Sequence, residues 1–128
     1  MSYYFSKKVL MNFEEAIARV TEELKKEGFG ILTEIDVKAT LKKKLDVDFH
    51  KYAILGACNP SFAHKALQAE PHMGTMLPCN VIVQEHQIGR VEISAVDPVA
   101  SMQAVANPGL ADVAKEVQAK LKRVVESL

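Results

Sequence analysis

The sequence predicts an α+β fold, in which a single twisted antiparallel sheet carries its helices on one face. Residues 77–84 and 91–96 largely alternate in side-chain orientation on either side of a turn that ends at Gly89, a pattern typical of an antiparallel hairpin. Residues 13–24 and 110–128 place apolar side chains at helical spacing, so each segment forms a helix with one apolar face. The turn between the last two strands is too short for a parallel crossover, which excludes an all-parallel sheet.

The first strand and the first helix follow from local signals. Aromatic side chains at the head of residues 3–10 favour extended structure. Asn12 precedes Glu15 at the spacing of a capping box and predicts a helix start. Gly28 follows the last apolar position of this helix and ends it.

Turn and cap residues predict where the remaining elements begin and end. Residues 29–35 and 52–57 are predicted strands, and Asp36 caps a short helix over residues 37–45. A capping residue followed by proline predicts three further helix starts, at Asn59-Pro60, Asp97-Pro98 and Asn107-Pro108. The resulting order is strand, helix, four strands and a long helix, with short helical insertions. We expect a single domain over residues 1–128, a length near the commonest domain size.

Composition narrows the function classes. Sixteen basic and sixteen acidic residues cancel, and neither half of the chain is polarised. Proteins that bind nucleic acid or anionic membranes usually carry a basic excess, so we expect neither partner. The N-terminal residues lack the apolar core of a signal peptide, and no run of ~18 apolar residues occurs. The protein is therefore predicted to be cytoplasmic, with both cysteines reduced.

Two Cys-Asn pairs are the most informative candidates for a site. Cys58 and Asn59 end a strand just before a helix start, where backbone amides favour a thiolate. Cys79 and Asn80 lie in the first strand of the hairpin, and alternation places Cys79 on the core side. Each cysteine is also a good core residue. These four residues are the predicted ligand-binding set.

A transition-metal site is a second interpretation of the same region. Cys58, His64, His72 and Cys79 have the side-chain types that bind zinc and related ions. Their spacing matches no known metal-binding pattern, and the separation of the cysteines is not that of a Cys-x-x-Cys pair. The leading expectation is therefore a protein without a cofactor, and the metal set is an alternative.

The chain resembles a known family. The resemblance runs over essentially the whole chain, and its motifs are Leu55-Gly56-Ala57-Cys58-Asn59-Pro60, Ala66-Leu67, Glu70-Pro71, Gly74 and Leu77-Pro78-Cys79-Asn80-Val81. On these motifs the chain is identified as a member of the family catalogued as domain of unknown function 302. The resemblance implies a compact α+β domain with a layout similar to TATA-binding-protein-like folds, and a homodimer. It implies no established reaction.

Three hypotheses for the function follow from these observations. The first is a homodimeric, non-enzymatic protein that binds a small ligand in a pocket between sheet and helices, with Cys58 and Asn59 near its rim. The second is a thiol- or metal-dependent protein that uses Cys58 and Cys79 with His64 or His72. The third is a protein-interaction module without a pocket. The sequence shows no nucleophile elbow, phosphate-binding loop or paired carboxylates, so we expect a protein that is not an enzyme.

Overall fold

The α+β prediction is confirmed by a computed structural model that describes residues 2–128. Its elements, in chain order, are β1 (Tyr4–Val9), α1 (Phe13–Lys26), β2 (Gly30–Asp36), α2 (Val37–Leu45), β3 (Tyr52–Cys58), α3 (Pro60–Ala69), a 3₁₀ helix (Pro71–Met76), β4 (Cys79–Gln87), β5 (Arg90–Val96), α4 (Pro98–Ser101), a second 3₁₀ helix (Pro108–Leu110) and α5 (Ala111–Glu126).

The five strands form one antiparallel sheet in the order β1-β5-β4-β3-β2. Strands β2 to β5 form a meander in which each strand pairs with the next. The first strand, β1, pairs with β5 at one edge of the sheet. The two strands that flank α1 in sequence thus lie at opposite edges of the sheet. Because α1 runs between these edges, it contacts β2, β4 and β5 and covers the middle of one sheet face.

The main core lies between this sheet face and the two long helices. Each strand of the β4–β5 hairpin contributes its alternating apolar residues, including Val81, Val83, Val91 and Ile93, which are almost fully buried. Helix α1 adds Ala16, Val20 and Leu24, and α5 adds Val117, Leu121, Val124 and Val125. The prediction that the last helix packs on the sheet is confirmed by its contacts with β1 and β5.

A second, smaller cluster packs beside the main core. Ala66 of α3, Met73 of the first 3₁₀ helix and Leu110 before α5 are buried together, and Leu77, Met102 and Val105 pack against them. This cluster joins the short helices at one end of the sheet. None of the helices in residues 2–128 combines the length and the apolar character needed to cross a membrane.

Within residues 2–128, no long helix covers the other face of the sheet. The residues that alternate with the core positions, among them Tyr52, Ile54, Ile82 and Val96, are half-buried, and Tyr4 and Ile35 are exposed. We refer to this surface as the open face. Helix α2, beside β2 and β3, contributes no buried residue.

Candidate functional site

An apolar cleft lies between the helical layer and one end of the sheet. Its walls come from β3, β4, α3 and α5 and from the segments that connect them; the lining residues are Phe29, Ala57, Cys58, Asn59, Phe62, Ala63, Ala66, Leu77, Pro78, Cys79, Met102, Leu110, Val113, Ala114 and Val117. The space inside is about 30 Å³. A water molecule needs about 10–15 Å³ of such space, so the cleft is narrow.

Both cysteines line this cleft. Cys79 begins β4 and pairs across the ladder with Ala57, the residue before Cys58. Both thiols are free, and Cys79 is buried whereas Cys58 is half-buried. The predictions that neither forms a disulfide and that Cys79 belongs to the core are therefore confirmed.

Burial decides the chemistry of the Cys79 thiol. Removal from water raises the pKa of Cys79 from 9.0 to about 11, and the nearby Cys58 thiol acts in the same direction. The thiol of Cys79 is thus protonated near neutral pH. Because the thiolate is the nucleophile and the metal ligand, this environment disfavours both roles for Cys79.

Asn59 lies at the cleft but does not act as predicted. The sequence predicts that its side chain caps α3, whereas its side chain makes no cap hydrogen bond there. Asn59 Nδ2 instead donates to the carbonyl oxygen of Glu27, at 3.3 Å, at the C-terminal end of α1. This contact requires close approach to Gly28, which has φ of +85° and whose added Cβ would lie 3.0 Å from Asn59 Nδ2. A glycine therefore suits this corner.

The corner is reinforced by charged side chains from α5. Glu27 accepts from Arg123 at 3.0 Å and lies 3.7 Å from Lys120 Nζ. The hydrogen bond from Arg123, aided by both positive charges, lowers the pKa of Glu27. Lys120 Nζ also stands 5.9 Å from the ring centroid of Phe62 on α3. The ends of α1, α3 and α5 are thus connected at one side of the cleft.

The other predicted site residues lie elsewhere. Asn80 pairs with Gly56, is exposed and lines a groove on the open face, so it does not join the predicted ligand-binding set. His64 is exposed on α3. His72 is also exposed, and its Nδ1 lies 3.1 Å from Oε1 of Glu70.

The predicted metal set is not assembled in the structure. Across residues 2–128, no group of three or more His, Cys, Asp or Glu side chains is arranged so that it could hold a metal ion. Of Cys58, His64, His72 and Cys79, only the two cysteines line the cleft. The physical reason is that both histidines belong to exposed positions of the α3 and 3₁₀ segment, away from the buried end of β4.

The sequence interpretation missed the helical wall of the cleft. Phe62 and Ala66 are four residues apart on α3 and line it together, and Val113 and Val117 do the same on α5. This spacing places each pair on one helix face. That signal was present in the sequence, but it could not reveal that the two helix faces converge on the cysteines.

Comparison with known proteins places the chain in a family. The profile of the family described as "Domain of unknown function DUF302" matches residues 5–128. A crystal structure of an uncharacterized conserved protein DUF302 from Bacillus stearothermophilus is similar, with 28% sequence identity, a TM-score of 0.90 and coverage of 98% of both chains. A search of curated proteins finds no significant match. The match covers nearly the whole chain, including both cysteines; this protein belongs to the DUF302 family.

Proposed function

We propose that the protein binds a small apolar molecule in the cleft that contains Cys58 and Cys79. The observation that carries this proposal is the composition of the walls. Apart from Asn59 and the two thiols, every lining side chain is aliphatic, aromatic, proline or the thioether of Met102. Small-molecule sites are typically apolar clefts with few polar groups, and this cleft has that character.

The cleft has to widen to admit a ligand. Its interior of about 30 Å³ has room for water only, which is less than any organic molecule needs. Helix α3 is the element placed to move, because it packs chiefly on α5 and on the two 3₁₀ helices rather than on the sheet. Its buried contribution is Ala66 alone. An outward shift of α3 would enlarge the cleft and leave the main core in place.

Cys79 fits the role of a wall residue in this proposal. A protonated, buried thiol behaves as a small apolar group with a weak donor. Asn59, whose amide donates to Glu27, is the strongest hydrogen-bonding side chain at the cleft. The ligand is therefore expected to be mostly apolar, with at most one polar group for Asn59.

Titration of the ¹⁵N-labelled protein with toluene tests the proposal. We expect saturable chemical-shift changes at cleft residues such as Phe62, Ala66 and Val117, and none on the open face. Ala63→Leu, on the half-buried wall of α3, fills the cleft and should weaken toluene binding at least about tenfold, because it removes the space for the ligand.

The matched control is Ala119→Leu, the same substitution at an exposed position of α5 outside the cleft. It should leave toluene binding unchanged. Shift changes confined to other surfaces, or equal binding by both variants, would refute a ligand site in the cleft.

We also propose that the binding protein is a homodimer, as the family resemblance implies. Support comes from large exposed apolar side chains in and beside the first strand: Tyr3 is 68% exposed and Tyr4 is 43% exposed. Aromatic residues are enriched at the centres of protein interfaces. Sedimentation at micromolar concentration should give twice the chain mass of 14.1 kDa. A particle of one chain mass would exclude a stable dimer.

A further inference from the structure

We propose that the open face of the sheet is the surface on which the second copy of this chain packs. This inference rests on the proposed homodimer and names its interface. It follows from the apolar character, the hydrogen bonding and the size of the open face.

A row of isoleucines crosses the open face. Ile35 of β2 pairs with Ile54 of β3, which pairs with Ile82 of β4. Ile35 is 47% exposed, and the other two are half-buried without a covering layer. Antiparallel sheets that face water on one side usually carry polar residues there. Three neighbouring isoleucines on that side indicate a surface that is covered in solution.

Aromatic side chains extend this apolar surface toward one end of the sheet. The ring of His50 lies 4.3 Å from that of Phe49, 5.9 Å from that of Tyr52 and 5.9 Å from that of His86, centroid to centroid. Phe49 is 37% exposed. A groove of about 470 Å³ runs beside this group, with Tyr4 and Tyr52 among its lining residues. The aromatic group therefore continues the surface marked by the isoleucines.

Several polar side chains of the open face are already paired with one another. Glu92 accepts from Ser6 and lies 2.8 Å from His86 Nε2. Ser6 and Ser94 share a hydrogen bond of 3.0 Å. Burial of a polar group is costly chiefly when its hydrogen bonds are lost. Because these groups keep their partners within one chain, a second copy can cover them at little cost.

The size of the open face suits a dimer rather than a small ligand. Five strands spaced ~4.8 Å apart, with lengths of ~20 Å, give a face of roughly 500 Å² in projection. Two such faces bury about 1,000 Å², which reaches the lower limit for a biological interface. A two-fold axis that lies between the two faces and runs parallel to the isoleucine row would bring the row of one copy onto the same row of the other, as an isologous interface requires.

Helix α2 is a second incomplete surface beside the open face. Val37, Leu41 and Leu45 recur at helical spacing, yet none of them is buried and Leu45 is 66% exposed. An amphipathic helix needs a surface for its apolar stripe. Lys38 Nζ donates to the carbonyl oxygen of Phe49, which ties the start of α2 to the aromatic end of the open face. A partner on the open face would reach this helix as well.

Charge substitutions on the open face test the interface. Sedimentation analysis of the full chain at micromolar concentration should show that Ile82→Glu raises the dissociation constant of the dimer at least about a hundredfold, since a central contact becomes a buried charge. Tyr4→Glu should weaken the dimer as well. Because Tyr4 is exposed and does not belong to the main core, this variant should fold even if Ile82→Glu does not. Ile88→Glu, at a 98% exposed position in the β4–β5 turn, is the matched control and should remain dimeric.

The outcomes separate this inference from the proposals on which it rests. A wild-type dimer that is unaffected by both open-face substitutions, or one that is broken by Ile88→Glu, would overturn the assignment of the face and leave the dimer intact. A monomeric wild type would overturn both the dimer and the face. Neither result bears on toluene binding in the cleft, which is measured separately.

Discussion

Cys79 is the residue whose surroundings change its chemistry most. In the unfolded chain its thiol would ionise near its ordinary pKa of 9.0, whereas in the folded protein burial raises that pKa to about 11. The folded state thus holds a proton that the unfolded state releases as the pH rises between these values. Stability from this group is fully present below about pH 9 and is lost as the pH rises toward 11.

This linkage gives a prediction for alkaline solution. Two pKa units correspond to about 3 kcal/mol, so the free energy of unfolding should fall by up to that amount between about pH 8 and pH 11 because of Cys79 alone. Urea melts of wild type and Cys79→Ala over this range measure the contribution. The variant should lose less stability than wild type, since it has no thiol to ionise.

Cys58→Ala is the comparison variant, because it keeps the buried Cys79 thiol, whose pKa is raised chiefly by burial. It should retain most of the pH dependence of wild type. If Cys79→Ala and wild type lose stability in parallel, the thiol of Cys79 is in contact with water in solution, and the assignment of Cys79 as a protonated wall residue fails.

At the scale of single elements, Gly56 near the end of β3 is the glycine with the least room for a side chain. A Cβ added to Gly56 would lie 2.2 Å from Thr33 Oγ1 of β2 and 2.7 Å from Cγ of Pro78. The threonine hydroxyl can turn away, but the proline ring is held by its own backbone. Gly56 therefore lets β2 and the segment before β4 close over β3.

Gly56→Ala is predicted to destabilise the fold by about 1–3 kcal/mol, the usual cost of overpacking. Gly30→Ala, at the start of β2, is the matched control because nothing lies within 4 Å of its added Cβ. Denaturant melts compare the two variants. A Gly56→Ala protein as stable as Gly30→Ala would show that Pro78 yields to the extra methyl group and that the contact is not tight.

Local signals in the sequence predicted most elements because each depends on neighbouring residues. Asn12 caps α1 by accepting from the Glu15 amide, Asp36 caps α2 and Asp97 caps α4, as predicted. The cap by Asn59 was predicted wrongly, because its side chain is engaged by Glu27, a residue 32 positions earlier. A cap depends on a few adjacent amides, whereas the competing acceptor, the Glu27 carbonyl oxygen at the end of α1, is brought to Asn59 by tertiary packing.

The site was predictable only in part, because it depends on contacts between residues that are distant in the sequence. Alternation within β4 placed Cys79 in the core, and the proline after Asn59 placed Cys58 at a helix start. The convergence of both cysteines with Phe62 and Val117 depends on the order of strands and on where α3 and α5 cross the sheet. The apolar character of residues 52–57 was visible in the sequence, but no local rule predicts the surface that we propose to pack on the open face.

For the molecule as a whole, the two apolar clusters divide the fold into regions of unequal stability. The main core is formed by α1, α5 and the sheet, whereas the smaller cluster has three buried residues, Ala66, Met73 and Leu110. Regions with little buried apolar surface open at a lower free energy than the rest of a protein. The cleft lies where the two clusters meet, so opening of the smaller one exposes Cys79 and leaves the sheet folded.

This division predicts different results for two leucine substitutions. Leu121→Ala, in the centre of the main core, should lower the global free energy of unfolding by about 2–5 kcal/mol, because it leaves a cavity that the sheet cannot fill. Leu110→Ala should instead speed amide exchange in residues 60–76 and 98–110, with little change in β3, β4 and β5. Hydrogen exchange of both variants, followed by mass spectrometry of peptides, distinguishes these effects. Uniform loss of protection in Leu110→Ala would mean that the two clusters unfold together, and that a ligand could reach the cleft only by unfolding the whole domain.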